Sequence, residues 1–120
     1  MRPGLGIGQQ RTTTTKEIDW KAAQTAVDRV SGKWTIPIIA ALFRGPKRHG
    51  SLRRAIGGGV SDKVLTETLR RLEQDGLLTR HVVSGTPPAV FYSLTGTAQS
   101  LTDPLSAMAE WQANQPVTQR

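Results

Sequence analysis

Lys63, Thr66 and Arg70 stand three and four positions apart, in a segment whose leucines, Leu65, Leu69 and Leu72, keep the same rhythm. On a helix the two sets fall on opposite sides, so the leucines face a core and the polar set faces water. Lys and Arg side chains can donate to O6 and N7 of guanine, and a threonine methyl can touch a thymine methyl. Asp62 suits the positive end of such a helix and joins these three as a base-edge candidate. Glu67 can accept from cytosine N4 or pair with Arg70 or Arg71 along the helix, and the pairing is favoured. Every surface helix has a solvated face, so this pattern gains meaning only from its surroundings.

Those surroundings are basic. Lys47, Arg48, Arg53 and Arg54 lie just upstream. Cations there can neutralise phosphates and release counterions. Ser51, near the start of its own short helix, can offer a hydroxyl and backbone N–H groups to a phosphate. Ser61, Ser84 and Thr86 are further hydroxyl candidates. The plainer reading is a solubilising charge cluster, but its position beside the Lys63 helix favours phosphate. The 120-residue chain carries 16 Lys and Arg against 9 Asp and Glu, a net charge of +7. The excess is uneven: residues 44–80 hold a net +5, residues 1–43 a net +3 and residues 81–120 a net −1. The middle of the chain is therefore the expected polyanion face.

Other chemistries find little support. The chain has no cysteine, which excludes disulfides, thiolate metal sites and thiol redox sensing, and fits a cytoplasmic protein. His49 and His81 lack partner ligands at a recognisable spacing, so no metal and no cofactor are expected. No nucleophile–base pair stands in a recognisable context, so an enzyme is not expected. No apolar run is long enough to span a membrane, and the N-terminus has no apolar core of a secretory signal. The length suits one domain, expected over 17–114, between a disordered tail at 1–16 and a loose tail at 115–120. Gly4, Gly6 and Gly8 do not make a dinucleotide fingerprint, because no strand precedes them.

The elements that must hold the polar residues follow from spacing. Ala23, Ala26, Val27 and Val30 predict a helix over 20–30. Ser31 can cap a second helix opened by Gly32 and Lys33, with Trp34, Ile38, Ala41 and Leu42 on one face and Gly45-Pro46 as its stop. Residues 46–49 read as a short extended piece, and residues 50–56 as a short helix. Gly57-Gly58-Gly59 is a turn and not a phosphate cradle, since the remaining P-loop residues are absent. Ser61 caps the strong helix 61–74, which ends at Gly76. Residues 77–84 and 89–94 pair as a hairpin around Gly85-Thr86-Pro87-Pro88. Thr95 caps a last helix running to about Asn114, bent at Pro104, with Leu101, Leu105, Met108 and Trp111 as its apolar stripe.

A short helix, a glycine turn and a basic helix form a helix-turn-helix, and a hairpin directly after it is a wing whose third edge residues 46–49 can supply. The fold expected is α+β, mostly helical: a winged helix-turn-helix. Gly32-Lys33-Trp34-Thr35, Arg44 to Arg48, Leu52 to Ile56, Val60 to Thr66, Leu69 to Leu77 and Pro87-Pro88 with Val90 and Tyr92 to Thr95 resemble the HxlR family of bacterial winged-helix transcription regulators. The resemblance covers about residues 19–113 and rests on the order and spacing of these pieces. It implies a homodimer formed by the first and last helices on a palindromic or near-palindromic double-stranded operator, with 61–74 as recognition helix and 77–94 as wing. Three positions depart from the family. Lys21 stands where many members carry cysteine, Ala89 where the wing usually has arginine, and His49 where an aromatic is usual.

Trp34 and Trp111, with Trp20, Leu101, Leu105 and Met108, are read as core or dimer seam. The sharper alternative is a small-molecule effector pocket at that seam, which would act by changing the spacing of the two recognition helices. The competing function is a winged helix that makes only protein contacts and binds no specific DNA. An RNA-binding module ranks lower, because no sheet carries a stacking pair of aromatics.

Overall fold

The computed structural model describes residues 17–117. The expected tail at 1–16, including Arg2 and Arg11, lies outside the described residues, as do residues 118–120. The chain divides into two units, one ending at Val30 and the other beginning at Ser31.

The first unit is α1, Trp20–Arg29. Asp19 caps it, its carboxylate accepting from the Ala22 N–H at 3.1 Å. No residue of α1 is buried, and Val27 stays 50% exposed, so the apolar stripe is formed but uncovered.

The second unit holds the core. Helix α2, Thr35–Phe43, buries Thr35, Ile38, Ile39 and Leu42. Ser31 does not cap it. Gly32 takes φ +107°, which a helix cannot use, so the helix begins three residues later with Trp34 at its cap position. Pro37 then falls in the first turn, where a missing N–H costs nothing. Helix α3, His49–Ala55, starts one residue earlier than spacing suggested. Because His49 is already helical, the extended piece shrinks to a single bridge, with Lys47 and Tyr92 exchanging N–H···O bonds of 3.0 and 2.8 Å.

Helix α4, Asp62–Gln74, buries Leu65, Leu69 and Leu72 almost completely. Burying each leucine contributes roughly 1.5–3 kcal/mol, so the helix is held firmly by its inner face. Ser61 caps it, accepting from the Val64 N–H at 3.1 Å. At the other end Gly76 turns left-handed at φ +77°, Leu77 donates to the Leu72 carbonyl and Gly76 to that of Glu73. This paired C-terminal cap delivers the chain straight into the hairpin.

Strands β1, Leu78–Val83, and β2, Ala89–Leu94, pair antiparallel from Leu78 opposite Leu94 to Val83 opposite Ala89. Leu77, Leu78 and Leu94 anchor the root in the core, while Val82 and Val83 are 57% and 50% exposed. The hairpin therefore projects, with its burial fading beyond the root. The last helix is two helices, α5, Gly96–Ser100, and α6, Thr102–Ala113. Pro104 has no N–H for the Ser100 carbonyl, and its ring crowds that oxygen, so the break falls one turn upstream, at Leu101. The result is a mostly helical winged helix-turn-helix. No helix among the described residues is long and apolar enough to cross a membrane.

Candidate nucleic-acid interface

The turn between α3 and α4 needs backbone that only glycine adopts easily. Gly57 and Gly58 take φ +105° and +72°, and their N–H groups return to the carbonyls of Arg54 and Arg53. Gly59 lies against the Trp34 ring, which a β-carbon there would meet at 3.8 Å. Arg53 fastens the far side of the turn. Its Nε donates to the Val60 carbonyl at 2.7 Å, and its Nη1 stands 3.7 Å from Asp62 Oδ1. The bond to Val60 is charge-assisted and short, whereas the ion pair is long and exposed and adds little. Two residues expected at the DNA, Arg53 and Asp62, are thus joined to each other across the start of α4.

Along α4, Lys63, Glu67 and Arg70 are exposed, and among the described residues Lys63 and Arg70 have no ion-pair partner. The favoured pairing of Glu67 with Arg70 or Arg71 is not formed. Arg71 reaches the other way, donating to Thr35 Oγ1 at 2.9 Å and standing 3.8 Å from Asp75. Thr66 is half-buried, with its hydroxyl 3.2 Å from His49 Nε2 on α3.

The remaining cations surround this helix-turn-helix. Arg48 lies over the Phe91 ring of the wing, 5.8 Å from its centroid. Arg54 donates to the Ser51 hydroxyl at 3.3 Å. Lys47 is tied to the wing through its backbone alone, which leaves its ammonium free. Ser84 and Thr86 are exposed in the wing loop, and the Ser61 oxygen accepts the α4 cap bond, which leaves its O–H able to donate. His81 bonds across the wing to Ser93 at 3.0 Å.

The residues read as a seam or pocket are spread out. Trp34 is half-buried at the head of α2, with Lys33 Nζ 5.3 Å from its ring centroid. Trp20 lies on α1, 66% exposed. Leu101 and Leu105 are half-buried, while Met108 and Trp111 are 57% and 64% exposed. A cleft of about 340 Å³ does lie between α2 and α6. Its walls are Ile36, Ile39, Ala40, Phe43, Leu105 and Ala109, with Thr102, Asp103 and Ser106 at its polar side. Of the six residues expected around a pocket, only Leu105 lines it, and Trp34 lies beside the Gly59 turn instead.

Sequence reasoning offered Arg71 only as a partner for Glu67 and did not place it at Thr35. The signal was present in Gly32-Lys33-Trp34-Thr35: a β-carbon on Gly32 would stand 3.1 Å from Thr35 Oγ1 and 3.2 Å from Arg71 Nη2. Glycine there leaves room for the guanidinium to reach Thr35. Among the described residues no three His, Cys, Asp or Glu side chains gather to hold a metal ion.

The family model described as HxlR-like helix-turn-helix matches residues 29–119. The HTH-type transcriptional regulator YtfH of Escherichia coli (strain K12) is 39% identical over 89 residues, covering 74% of this chain and 70% of that protein. YtcD of Bacillus subtilis (strain 168), of the same description, is 34% identical over 93 residues, covering 78% and 73%. A transcriptional regulator of the MarR family from Enterococcus faecalis V583 superposes with a TM-score of 0.75 at 34% identity, covering 85% of this chain and 92% of that one. The reduced form of the regulator YodB from B. subtilis gives a TM-score of 0.72 at 31% identity, covering 81% and 96%. With a helix that exposes Lys63 and Arg70, presented by a glycine turn and flanked by a projecting hairpin, the chain belongs to the HxlR-like helix-turn-helix family and is a transcriptional regulator with a DNA-binding fold.

Proposed function

We propose that the protein works as a homodimer on a palindromic or near-palindromic operator in double-stranded DNA, with α4 in the major groove and the hairpin as wing. The observation that carries this reading is the state of α4. Its leucines are locked in the core, while Lys63 and Arg70 are exposed and without ion-pair partners on the opposite side. Lys63, Thr66 and Arg70 read base edges, with Asp62 beside them at the start of α4 as a fourth base contact. Lys47, Arg48, Arg53 and Arg54 meet phosphates, with Ser51, Ser61, Ser84 and Thr86 as hydroxyl donors beside them.

Two observations support the dimer. Helix α1 has an apolar stripe with nothing buried, and α6 leaves Met108 and Trp111 exposed. Exposed apolar surface of this kind marks an association site. A small-molecule effector at the subunit seam completes the reading. It is supported by the α2–α6 cleft, whose size suits a small ligand. Titrating a ligand panel against tryptophan fluorescence tests it, and a flat response across the panel overturns it. The protein acts in the bacterial cytoplasm, at the nucleoid.

The experiment is binding to fluorescent DNA from this gene's upstream region, against scrambled DNA, at two salt concentrations. Wild type binds the upstream DNA tightly and with a steep salt dependence. Lys63→Ala loses about tenfold or more, the worth of one good base contact of roughly 1–3 kcal/mol. Equal weak binding to both DNAs overturns the reading in favour of a protein-contact module.

A further inference from the structure

We infer that His49 is a specificity-determining residue: it fixes the rotamer of Thr66, so that α4 presents a methyl group, and not a hydroxyl, to the base it faces. The inference rests on the reading of α4 as the recognition helix.

Thr66 lies midway between Lys63 and Arg70 on one line of the helix. A helical threonine has two accessible rotamers, one of which returns its hydroxyl to a carbonyl one turn back. Thr68, two residues away in the same helix, takes that course and donates to the Val64 carbonyl at 2.8 Å. Thr66 does not. Its oxygen lies 3.2 Å from Nε2 of His49, the first residue of α3 and 17 positions away in sequence. A neutral imidazole can accept the hydroxyl proton through Nε2 or donate an N–H to the oxygen. In either tautomer the oxygen is held on the α3 side.

The tetrahedral β-carbon then decides what is left. With the oxygen turned to His49, the γ-methyl occupies a different branch, directed away from the imidazole. A methyl matches the C5-methyl of thymine and offers nothing to an amino group or a carbonyl. The base facing Thr66 should therefore be thymine. His49 itself touches no base in this account; it is a positioning residue.

Operator selection from a randomised DNA library tests this, with wild type, Thr66→Ser, Thr66→Val, His49→Phe and His49→Gln. Thermal melts confirm that each is folded, and Phe fills a comparable half-buried volume at position 49. Wild type enriches one site with a thymine in each half, preferred by about tenfold, the scale of a single methyl contact. Thr66→Val keeps that thymine, since a methyl remains. Thr66→Ser loses it and changes no other position. His49→Phe loses the same thymine preference, because the freed hydroxyl swings to its own helix, and His49→Gln restores it. A purely structural bond between α3 and α4 would instead weaken all sequences equally. If His49→Phe enriches the wild-type site unchanged, or only binds everything more weakly, the role of His49 is overturned. If wild type enriches no sequence at all, the DNA reading itself fails, and the inference falls with it.

Discussion

The guanidinium of Arg71, on the C-terminal half of α4, donates a 2.9 Å hydrogen bond to the hydroxyl of Thr35, the first residue of α2. Thr35 is wholly buried, and its hydroxyl donates in turn to the Ser31 carbonyl at 2.8 Å. The recognition-helix candidate is thus tied by a charged, two-step relay to the start of the second unit. Breaking a relay of this kind leaves polar groups without partners, which costs more than the bonds themselves contribute. Thr35→Val should lower unfolding stability by about 1–3 kcal/mol. Gly32→Ala should do similar damage by a different route, forcing a β-carbon into a left-handed backbone and against both relay partners. Urea unfolding checks both, and unchanged midpoints would show that the relay carries no load.

Arg53 and Arg54 are adjacent and equally charged, yet the structure uses them differently. Arg53 is committed to the Val60 carbonyl at 2.7 Å, whereas Arg54 reaches only the Ser51 hydroxyl, at the surface. Arg53→Lys keeps the charge but lacks the Nε–H that bonds Val60. It should cost about 1–2 kcal/mol of stability and weaken operator binding without altering its salt slope. Arg54→Gln should leave stability unchanged and reduce the slope of log K against log salt by about 0.9, one phosphate contact. Denaturation and salt titrations on the two variants separate the roles. Identical behaviour in both would show that the clasp on the turn is immaterial.

Much of this was legible in the sequence because each element announces itself locally. Ser61, the leucine rhythm and Gly76 define α4, and the observed caps fall at those residues. What was not legible depends on pairs far apart in the chain. Nothing near Arg53 says that its side chain folds back to Val60, and nothing near Thr66 points to His49. The same holds for Arg71, which looks like any partner for Glu67 until Thr35 is brought beside it. The break at Leu101 was half-legible: Pro104 announces it, but a proline acts on the carbonyl four residues back, so the discontinuity lies upstream of its cause.

Thr95 pins the root of the wing. Its hydroxyl donates to the Gly76 carbonyl at 2.7 Å and accepts from the Ala98 N–H at 3.2 Å. One side chain therefore joins the end of α4, the end of β2 and the start of α5. Thr95→Val removes both bonds while keeping the shape, and should cost about 1–2 kcal/mol. Amide hydrogen exchange should quicken in β1 and β2 more than in α4, whose cap at Leu77 and Gly76 is backbone to backbone. Uniform quickening across the molecule would mean that the wing has no independent stability to lose.

The uncovered apolar surface makes the last prediction. Trp20, Val27, Met108 and Trp111 are each at least half exposed in the single chain. Large apolar side chains left in water at this density favour association, and a homodimer is the simplest closed way to cover them. Wild type should therefore sediment at twice its 13.0 kDa chain mass at micromolar concentration. Val27→Glu and Trp111→Glu each place a charge where apolar surface would be buried, which is unfavourable by several kcal/mol when the charge finds no partner. Both variants should sediment as monomers with their melting curves for the Ser31 unit little changed, since neither side chain is in its core. Binding to a full operator should fall by far more than binding to a half-site, because two recognition helices linked in one dimer gain from each other's proximity. A wild type that sediments as a monomer would overturn the dimer, and equal losses on full and half operators would show that the two halves are not read together.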